Sequence, residues 1–282
     1  MSDHVQPTPS GKWSDLGLRT VSAVILAPIV LLALYQGGAW SEWLFALIAT
    51  LMALEYVSIV HGGDKRQFAL YSAAGLACVV LPAAGWALGA IVIVVLTTLI
   101  SASMRRGQSS QVNGWWASAG VPYVALPALA LVLLRSDADL GWSALLWLAL
   151  VVWATDIGAY FAGRMIGGPK LAPRLSPKKT WAGLLGGMAA AAAVSAAVCH
   201  FLELPMLVPA VIAPVLAVVA QAGDIYESAL KRHFNLKDAS NLIPGHGGVL
   251  DRVDGLVAGA VFAAIIGFLH HPASVAKGLL LW

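Results

Sequence analysis

Charge is the scarcest ingredient of this sequence. Only 11% of its 282 residues are Asp, Glu, Lys or Arg, against about a quarter in an ordinary soluble domain. That excludes a soluble enzyme of usual build, and at 29.4 kDa it leaves no room for a separate soluble domain beside the apolar runs. Cysteine is nearly absent. Cys78 and Cys199 stand far apart in apolar runs with no His or Cys neighbour, which argues against a disulfide or a metal pair and for small core residues. The opening "MSDHVQPTPSGKWSDLGLRT" lacks the basic segment and small-residue cleavage site of a signal peptide, so residues 1–17 are expected to be a retained polar tail. No internal repeat is visible, which weakens an inverted-repeat transporter. The glycines also lack P-loop and dinucleotide-fingerprint spacing.

What the chain has in excess is apolar side chains: 59% of residues, with a mean hydropathy of +0.80. A helical span needs about 20 mostly apolar residues. Nine stretches qualify: Leu18–Tyr35, Ser41–Val60, Phe68–Ala83, Trp86–Ser103, Ala117–Leu134, Ser143–Met165, Ala182–Phe201, Met206–Gly223 and Val253–His270. Pro82 and Gly85 favour a turn between the third and fourth, although one kinked helix is the alternative. The fold class is therefore all-α, a polytopic membrane bundle of about nine helices. With the N-terminus inside, Lys12, Arg19, Lys65, Arg66, Arg105, Arg106, Arg164, Lys170, Arg174, Lys178, Lys179, Lys231, Arg232, Lys237 and Arg252 fall on the cytoplasmic side. Only Arg135 and Lys277 fall outside, the bias that orients membrane proteins. Trp40, Trp43, Trp115, Trp116, Trp142 and Trp282 fit an interfacial aromatic belt. Organisation follows: a tail at 1–17, N-terminal helices over 18–135, and a C-terminal region over 136–282 with polar loops at 164–181 and 224–252.

Polar residues are shared unevenly. The first half has short basic loops, read as topology determinants, and one intramembrane carboxylate, Glu55, poised between a functional role and simple pairing. "RSDAD" at 135–139 reads as a solvated outer turn. In the second half, Asp156, Tyr160 and Gly163 share a helical face inside a span. The basic loop after them ends in "SPKKT". Ser176 is placed to cap the next helix with Pro177 at its first position, which puts Lys178 and Lys179 near an anion-favouring helix N-terminus.

A second cluster begins at "QAGDIYESALKRHFNLKD", where Gln221, Asp224, Ser228 and Lys231 form one polar stripe on a helix leaving the membrane. Then comes "LIPGHGGVLDRVDG", in which Pro244 and Gly245 break the chain and Gly247-Gly248 permits close backbone approach. Asp251 and Asp254 open the last helix. Asp224 and Asp251 end one helix and begin another, so they can converge, and such hard oxygens suit Mg²⁺ bound with substrate phosphates. Carboxylates among so many cations suit metal-assisted phosphoryl or nucleotidyl transfer at a membrane; an ion-coupled transporter is the rival from another class.

The segment "SALKRHFNLKDASNLIPGHGGVLDRVD" from Ser228 to Asp254 resembles the motif of the phosphatidate cytidylyltransferase family. Ser228, Lys231, Arg232, Lys237, Asp238, His246, Gly247, Gly248, Asp251, Arg252 and Asp254 all land on it, and "DIGAYFAGR" and "KLAPRLSPKKTWAG" look like a second family region. Ala182 departs from it, standing where the family often has an acidic or amide residue. The resemblance implies the reaction of CTP with phosphatidic acid to give CDP-diacylglycerol and pyrophosphate, at the cytoplasmic face of a bacterial inner membrane. It implies Asp224 and Asp251 as ligands of Mg²⁺ or Mn²⁺, with room for a second, monovalent cation. Lys178, Lys179, Lys231, Arg232 and Arg252 would bind phosphates, with Ser176 and Ser228 beside them. Lys237 and Asp238 would order the loop or touch the nucleotide, Asp254 would orient a ligand, and Asp156 would join the cavity. His246 stays open between a phosphate contact and loop ordering. Partners would be CTP, phosphatidic acid and membrane lipids, with no nucleic acid; a homodimer is compatible. The alternatives are a CTP-dependent transferase for another lipid, or a transporter.

Overall fold

The computed structural model describes residues 12–104, 114–243, 245 and 247–282. The elements run α1 (Lys12–Gln36), α2 (Ala39–His61), α3 (Lys65–Ala83), α4 (Ala87–Ser103), α5 (Gly114–Arg135), α6 (Gly141–Met165), β1 (Lys170–Ala172), β2 (Ser176–Thr180), α7 (Trp181–Phe201), α8 (Leu207–His233), α9 (Leu250–His270) and α10 (Val275–Leu280). Expectations that rest on residues 1–11, Arg105, Arg106, Pro244, His246 and the side chains of Lys12 and Arg19 lie outside the described residues.

Each expected span has its helix. Hydrocarbon offers the backbone no partner, so a chain this apolar satisfies its N–H and C=O groups within helices. Among the described residues α2, α3 and α5 to α9 are long and apolar enough to cross a membrane, while α4 and the apolar part of α1, Thr20–Gln36, are shorter. The chain is thus an all-α polytopic membrane bundle. α3 and α4 are separate: Gly85 takes φ +82°, and Trp86 N–H reaches Leu81 O at 2.8 Å. Cys78 and Cys199 are free and buried, as small core residues should be.

Several boundaries and placements differ from expectation. α8 runs on to His233 instead of ending at Gly223, and α9 starts at Leu250 instead of Val253. The polar stripe from Gln221 to Lys231 lies on this helix as it leaves the apolar span, as expected, so the non-helical part of the 224–252 region is confined to 234–249. β1 and β2 form a small antiparallel hairpin pairing Lys170 with Thr180 and Ala172 with Ser176. Ser176 consequently does not cap a helix. Thr180 does, its Oγ1 accepting Gly183 N–H at 3.0 Å. Strand alternation turns Lys178 outward and Lys179 inward. Trp40, Trp43 and Trp115 are exposed as a belt requires, but Trp116 turns in, packing on Tyr226 and His233. α10 was not expected.

Glycine sets the closest helix contacts, as small residues do in membranes. A Cβ on Gly158 of α6 would meet Gly186 O of α7 at 2.8 Å, and one on Gly186 would meet Ala162 Cβ at 2.2 Å. A Cβ on Gly223 of α8 would meet Asp254 O of α9 at 2.7 Å. The two lone basic residues share one end of the bundle. Arg135 donates to Leu34 O and Tyr35 O at the end of α1, and Lys277 faces Asp137 and Asp139. "RSDAD" is thus a latch, with Asp137 also accepting Ser274 Oγ at 2.6 Å. The ionisable motifs gather at the opposite end.

Candidate active site

Four elements meet around Lys179. Strand β2 carries its side chain inward, 14% exposed, onto Asp224 of α8 at 2.6 Å, and its Nζ also donates to Gln221 O at 3.3 Å. Gln221 in turn donates through Nε2 to Asp156 of α6 at 3.2 Å. Ser228 Oγ donates to Asp224 at 3.4 Å, one turn further along α8. Asp254, at the start of α9, lies within electrostatic reach of Asp224, Asp156 and Lys179. The long α8 makes this possible: its regular turn lines Gln221, Asp224 and Ser228 along one face.

A second pair sits beside the first. Lys231 of α8 bridges Asp251 of α9 at 2.5 Å and Glu227 one turn back at 2.6 Å. Glu227 is 1% exposed, and its other oxygen, Oε1, is buried without a hydrogen-bond partner. Glu227 does not stand out in the sequence because it lies one residue off the polar stripe; the Glu-to-Lys spacing of four residues is the signal that points to it.

Asp251 is held from three sides. Its Oδ2 accepts the N–H groups of Ala239 (2.9 Å) and Gly248 (2.8 Å), while Lys231 takes Oδ1. Before it, Ile243 and Gly247 pair backbone to backbone across a tight turn, with Gly247 at φ +85°, where a side chain would be strained. Gly248 is small for a different reason: a Cβ there would lie 2.8 Å from the Glu55 carboxylate. Glu55, 2% exposed, accepts Val249 N–H and Leu250 N–H, each at 2.8 Å, and Ser240 Oγ at 2.6 Å. The room left by the Gly pair therefore admits carboxylates of the protein itself, and the first N–H groups of α9 are already spent on them.

The remaining expected residues surround this core. Lys178, Arg232, Lys237, Asp238 and Arg252 are exposed, and Arg232 donates to Leu236 O at 3.5 Å. Ser176 is half-buried at the start of β2. Tyr160 is 60% exposed and packs on the Phe161 ring, and Gly163 packs on Thr180, while Asp156 is bonded to Gln221, so the three do not form one cluster.

A divalent cation needs hard oxygens, and carboxylates are in surplus. Asp156, Asp224, Glu227, Asp251 and Asp254 interact with one another electrostatically, and the ammonium groups paired directly to them are those of Lys179 and Lys231. With Glu227 Oε1 orphaned, that donor chemistry fits Mg²⁺ or Mn²⁺. No cage is ready-made, since among the described residues no three His, Cys, Asp or Glu are grouped to hold a metal. Such donors suit an ion that draws most of its ligands from substrate phosphates and water.

Comparison with known proteins agrees with the motif. Residues 17–270 match the cytidylyltransferase family. A protein of Brucella suis named phosphatidate cytidylyltransferase is 40% identical, over 94% of this chain and 98% of its own length. One of Staphylococcus aureus with the same name is 33% identical, over 84% and 93%. The chain belongs to the cytidylyltransferase family.

Proposed function

We propose that this protein joins CTP to phosphatidate at the cytoplasmic face of a bacterial inner membrane, yielding CDP-diacylglycerol and pyrophosphate. The observation that carries it is the pair of ammonium–carboxylate contacts, Lys179 with Asp224 and Lys231 with Asp251, set side by side at one end of a bundle whose outer surface is apolar. The names of the relatives support the choice of substrate, and the basic bias of that end supports its cytoplasmic placement.

In this reaction a phosphate oxygen of phosphatidate bonds to the α-phosphorus of CTP, and the bond from that phosphorus to the bridging oxygen breaks, releasing pyrophosphate. The attacking oxygen is already an anion, so the protein must position two anions and offset their repulsion. Lys179 and Lys231 are the inward cations for that task, with Lys178, Arg232, Lys237 and Arg252 at the rim for the triphosphate. A phosphate that draws Lys179 away leaves Asp224 free as a ligand. Asp224 and Asp251 would hold the divalent cation, which when bound neutralises phosphate charge. Asp156 holds Gln221 through its hydrogen bond, and Asp254 would orient a ligand from beside Asp224. Ser176, Ser228, Asp238 and the Gly247-Gly248 turn would shape the surroundings of the nucleotide, with His246 open between a phosphate contact and loop ordering.

Membranes containing the protein, given CTP labelled at the α-phosphate together with phosphatidate, should produce labelled lipid, and EDTA should stop it. Label that enters lipid only when a polyprenyl phosphate replaces phosphatidate would move the substrate assignment. No labelled lipid under either condition would reject nucleotidyl transfer.

A further inference from the structure

α5 and α8 both pack on α9 and meet each other through the rings near one end, Trp116 on Tyr226 and His233 and Tyr123 on Tyr226. The gap between them is an apolar groove of about 580 Å³, within the roughly 300–1,000 Å³ usual for ligand sites. Pro122 and Leu126 of α5 and Val219 and Ala222 of α8 form its walls, and Val257 and Val261 of α9 its floor. It follows α5 for the twelve residue steps from Trp115 to Pro127, roughly 18 Å at a helical rise of about 1.5 Å. That matches the depth of one leaflet, about half of a hydrocarbon core of roughly 30 Å. Exposed Trp115 stands at one end and exposed Val215 and Val218 beside the wall, so the groove opens sideways toward lipid.

Its inner end joins the polar site. Gly223 and Tyr226 line the groove and are the chain neighbours of Asp224 and Glu227. Tyr123 also lines it, within electrostatic reach of Glu227, Asp254 and Asp224. The hydroxyls around it are bonded: Tyr226 Oη meets Tyr56 Oη at 3.2 Å, and Tyr56 reaches Trp116 O at 2.7 Å. The Tyr123 hydroxyl is buried with no hydrogen-bond partner, a costly state for a strong donor.

We infer that the groove seats one acyl chain of the diacyl lipid substrate, and that Tyr123 donates its hydroxyl hydrogen to the ester carbonyl where that chain joins glycerol. This rests on the proposed lipid reaction. Seated so, the lipid phosphate lies beside Lys179 and Lys231 while its tail stays in hydrocarbon, and the ester supplies the acceptor that Tyr123 lacks.

The wild-type protein in detergent, without CTP, is irradiated with phosphatidate carrying a diazirine near the end of one acyl chain. Adducts should fall on groove residues such as Leu126, Val219 and Val261 and should be competed away by unlabelled phosphatidate. Adducts on other helices, or cross-links to a second copy of the chain, would overturn the proposal. In turnover assays Ala222→Trp should lower the ratio of kcat/KM for dioleoyl over dihexanoyl phosphatidate about tenfold by taking up tail space; an unchanged ratio counts against the groove whatever fraction of the variant folds. Tyr123→Phe should raise the KM for the lipid about fivefold, as loss of one hydrogen bond does, and leave the KM for CTP unmoved. An equal rise in both would place the hydroxyl elsewhere. If the wild type turns over neither lipid, the proposed reaction is wrong, and the labelling, which needs no turnover, still decides the groove.

Discussion

Glu55 accepts the backbone N–H of Val249 at 2.8 Å across 194 residues of sequence. Its second oxygen takes Leu250 N–H, so a carboxylate from α2 caps α9, which has no capping side chain of its own. The N-terminal helices are therefore part of what orders the motif loop. Asp251, one residue after Leu250, keeps its place because Glu55 fixes the turn before it.

Replacing Glu55 by Ala removes bonds to two backbone groups and to Ser240. Hydrogen bonds to a buried charge contribute about 1.5–3 kcal/mol each at most and are not additive, so a loss of about 2–4 kcal/mol is expected. Glu55→Gln, which keeps one acceptor oxygen, should lose less. Thermal unfolding in detergent measures both, and an unaltered midpoint for Glu55→Ala would rule out the cap.

Lys231 separates two carboxylates that would otherwise face each other. Lys231→Met should destabilise by about 3–5 kcal/mol, the cost of leaving buried charge uncompensated. Adding Glu227→Gln should restore part of that, making the double variant more stable than Lys231→Met alone. A double-mutant cycle reads the coupling; strictly additive losses would show that Glu227 and Lys231 act independently.

Much of this was legible in the sequence. Hydropathy marks nine apolar stretches, each of which is a helix and seven of which are long and apolar enough to cross a membrane among the described residues. The motif residues Asp224, Lys231 and Asp251 announce themselves by standing as charge beside such runs. What stayed hidden depends on long-range partners or on weak local signals. Glu55 reads as an isolated intramembrane acid until Val249 and Leu250 fold onto it. Tyr123 is one more aromatic in an apolar helix until its hydroxyl is found orphaned. Ser176-Pro177 imitates a helix start, and a five-residue strand has too few alternations to contradict it. Hydropathy marks only the apolar part of α8, up to Gly223, whereas the spacing of Gln221, Asp224, Ser228 and Lys231 is what marks its continuation as helix.

The α6–α7 interface depends on glycine. Gly186→Ala would put its Cβ 2.2 Å from that of Ala162, so the helices must part and β2, which carries Lys179 into α7, must move with them. A fall in monodisperse protein on size-exclusion chromatography is expected, with overpacking of this kind costing about 1–3 kcal/mol. A normal profile and normal activity would contradict the close packing.

The far end of the bundle should respond to acid. Burial pushes the Asp137 carboxyl up, but hydrogen bonds from Ser274, Leu140 and Asp139 and the charge of Lys277 outweigh it, and the group is held below its ordinary 3.8. Because the folded value is the lower one, Asp137 stabilises the fold above that ordinary value, and the contribution fades as pH falls through the folded value. Asp137→Asn should lose stability at pH 7 and show a flatter decline below about pH 4. Thermal midpoints across that range would test it, and parallel curves for the two proteins would count against the latch.

The most direct test counts products. Purified protein with phosphatidate vesicles, CTP and Mg²⁺ should release pyrophosphate and form CDP-diacylglycerol in equal amounts. Asp224→Asn should reduce both by about a hundredfold or more, the scale of losing one electrostatic contact to the transition state, with a smaller fall in thermal midpoint than Lys231→Met, because Asp224 is 32% exposed and Asn keeps an acceptor oxygen for Lys179. CTP consumed without cytidylyl-bearing lipid, or full turnover by Asp224→Asn, would contradict the account.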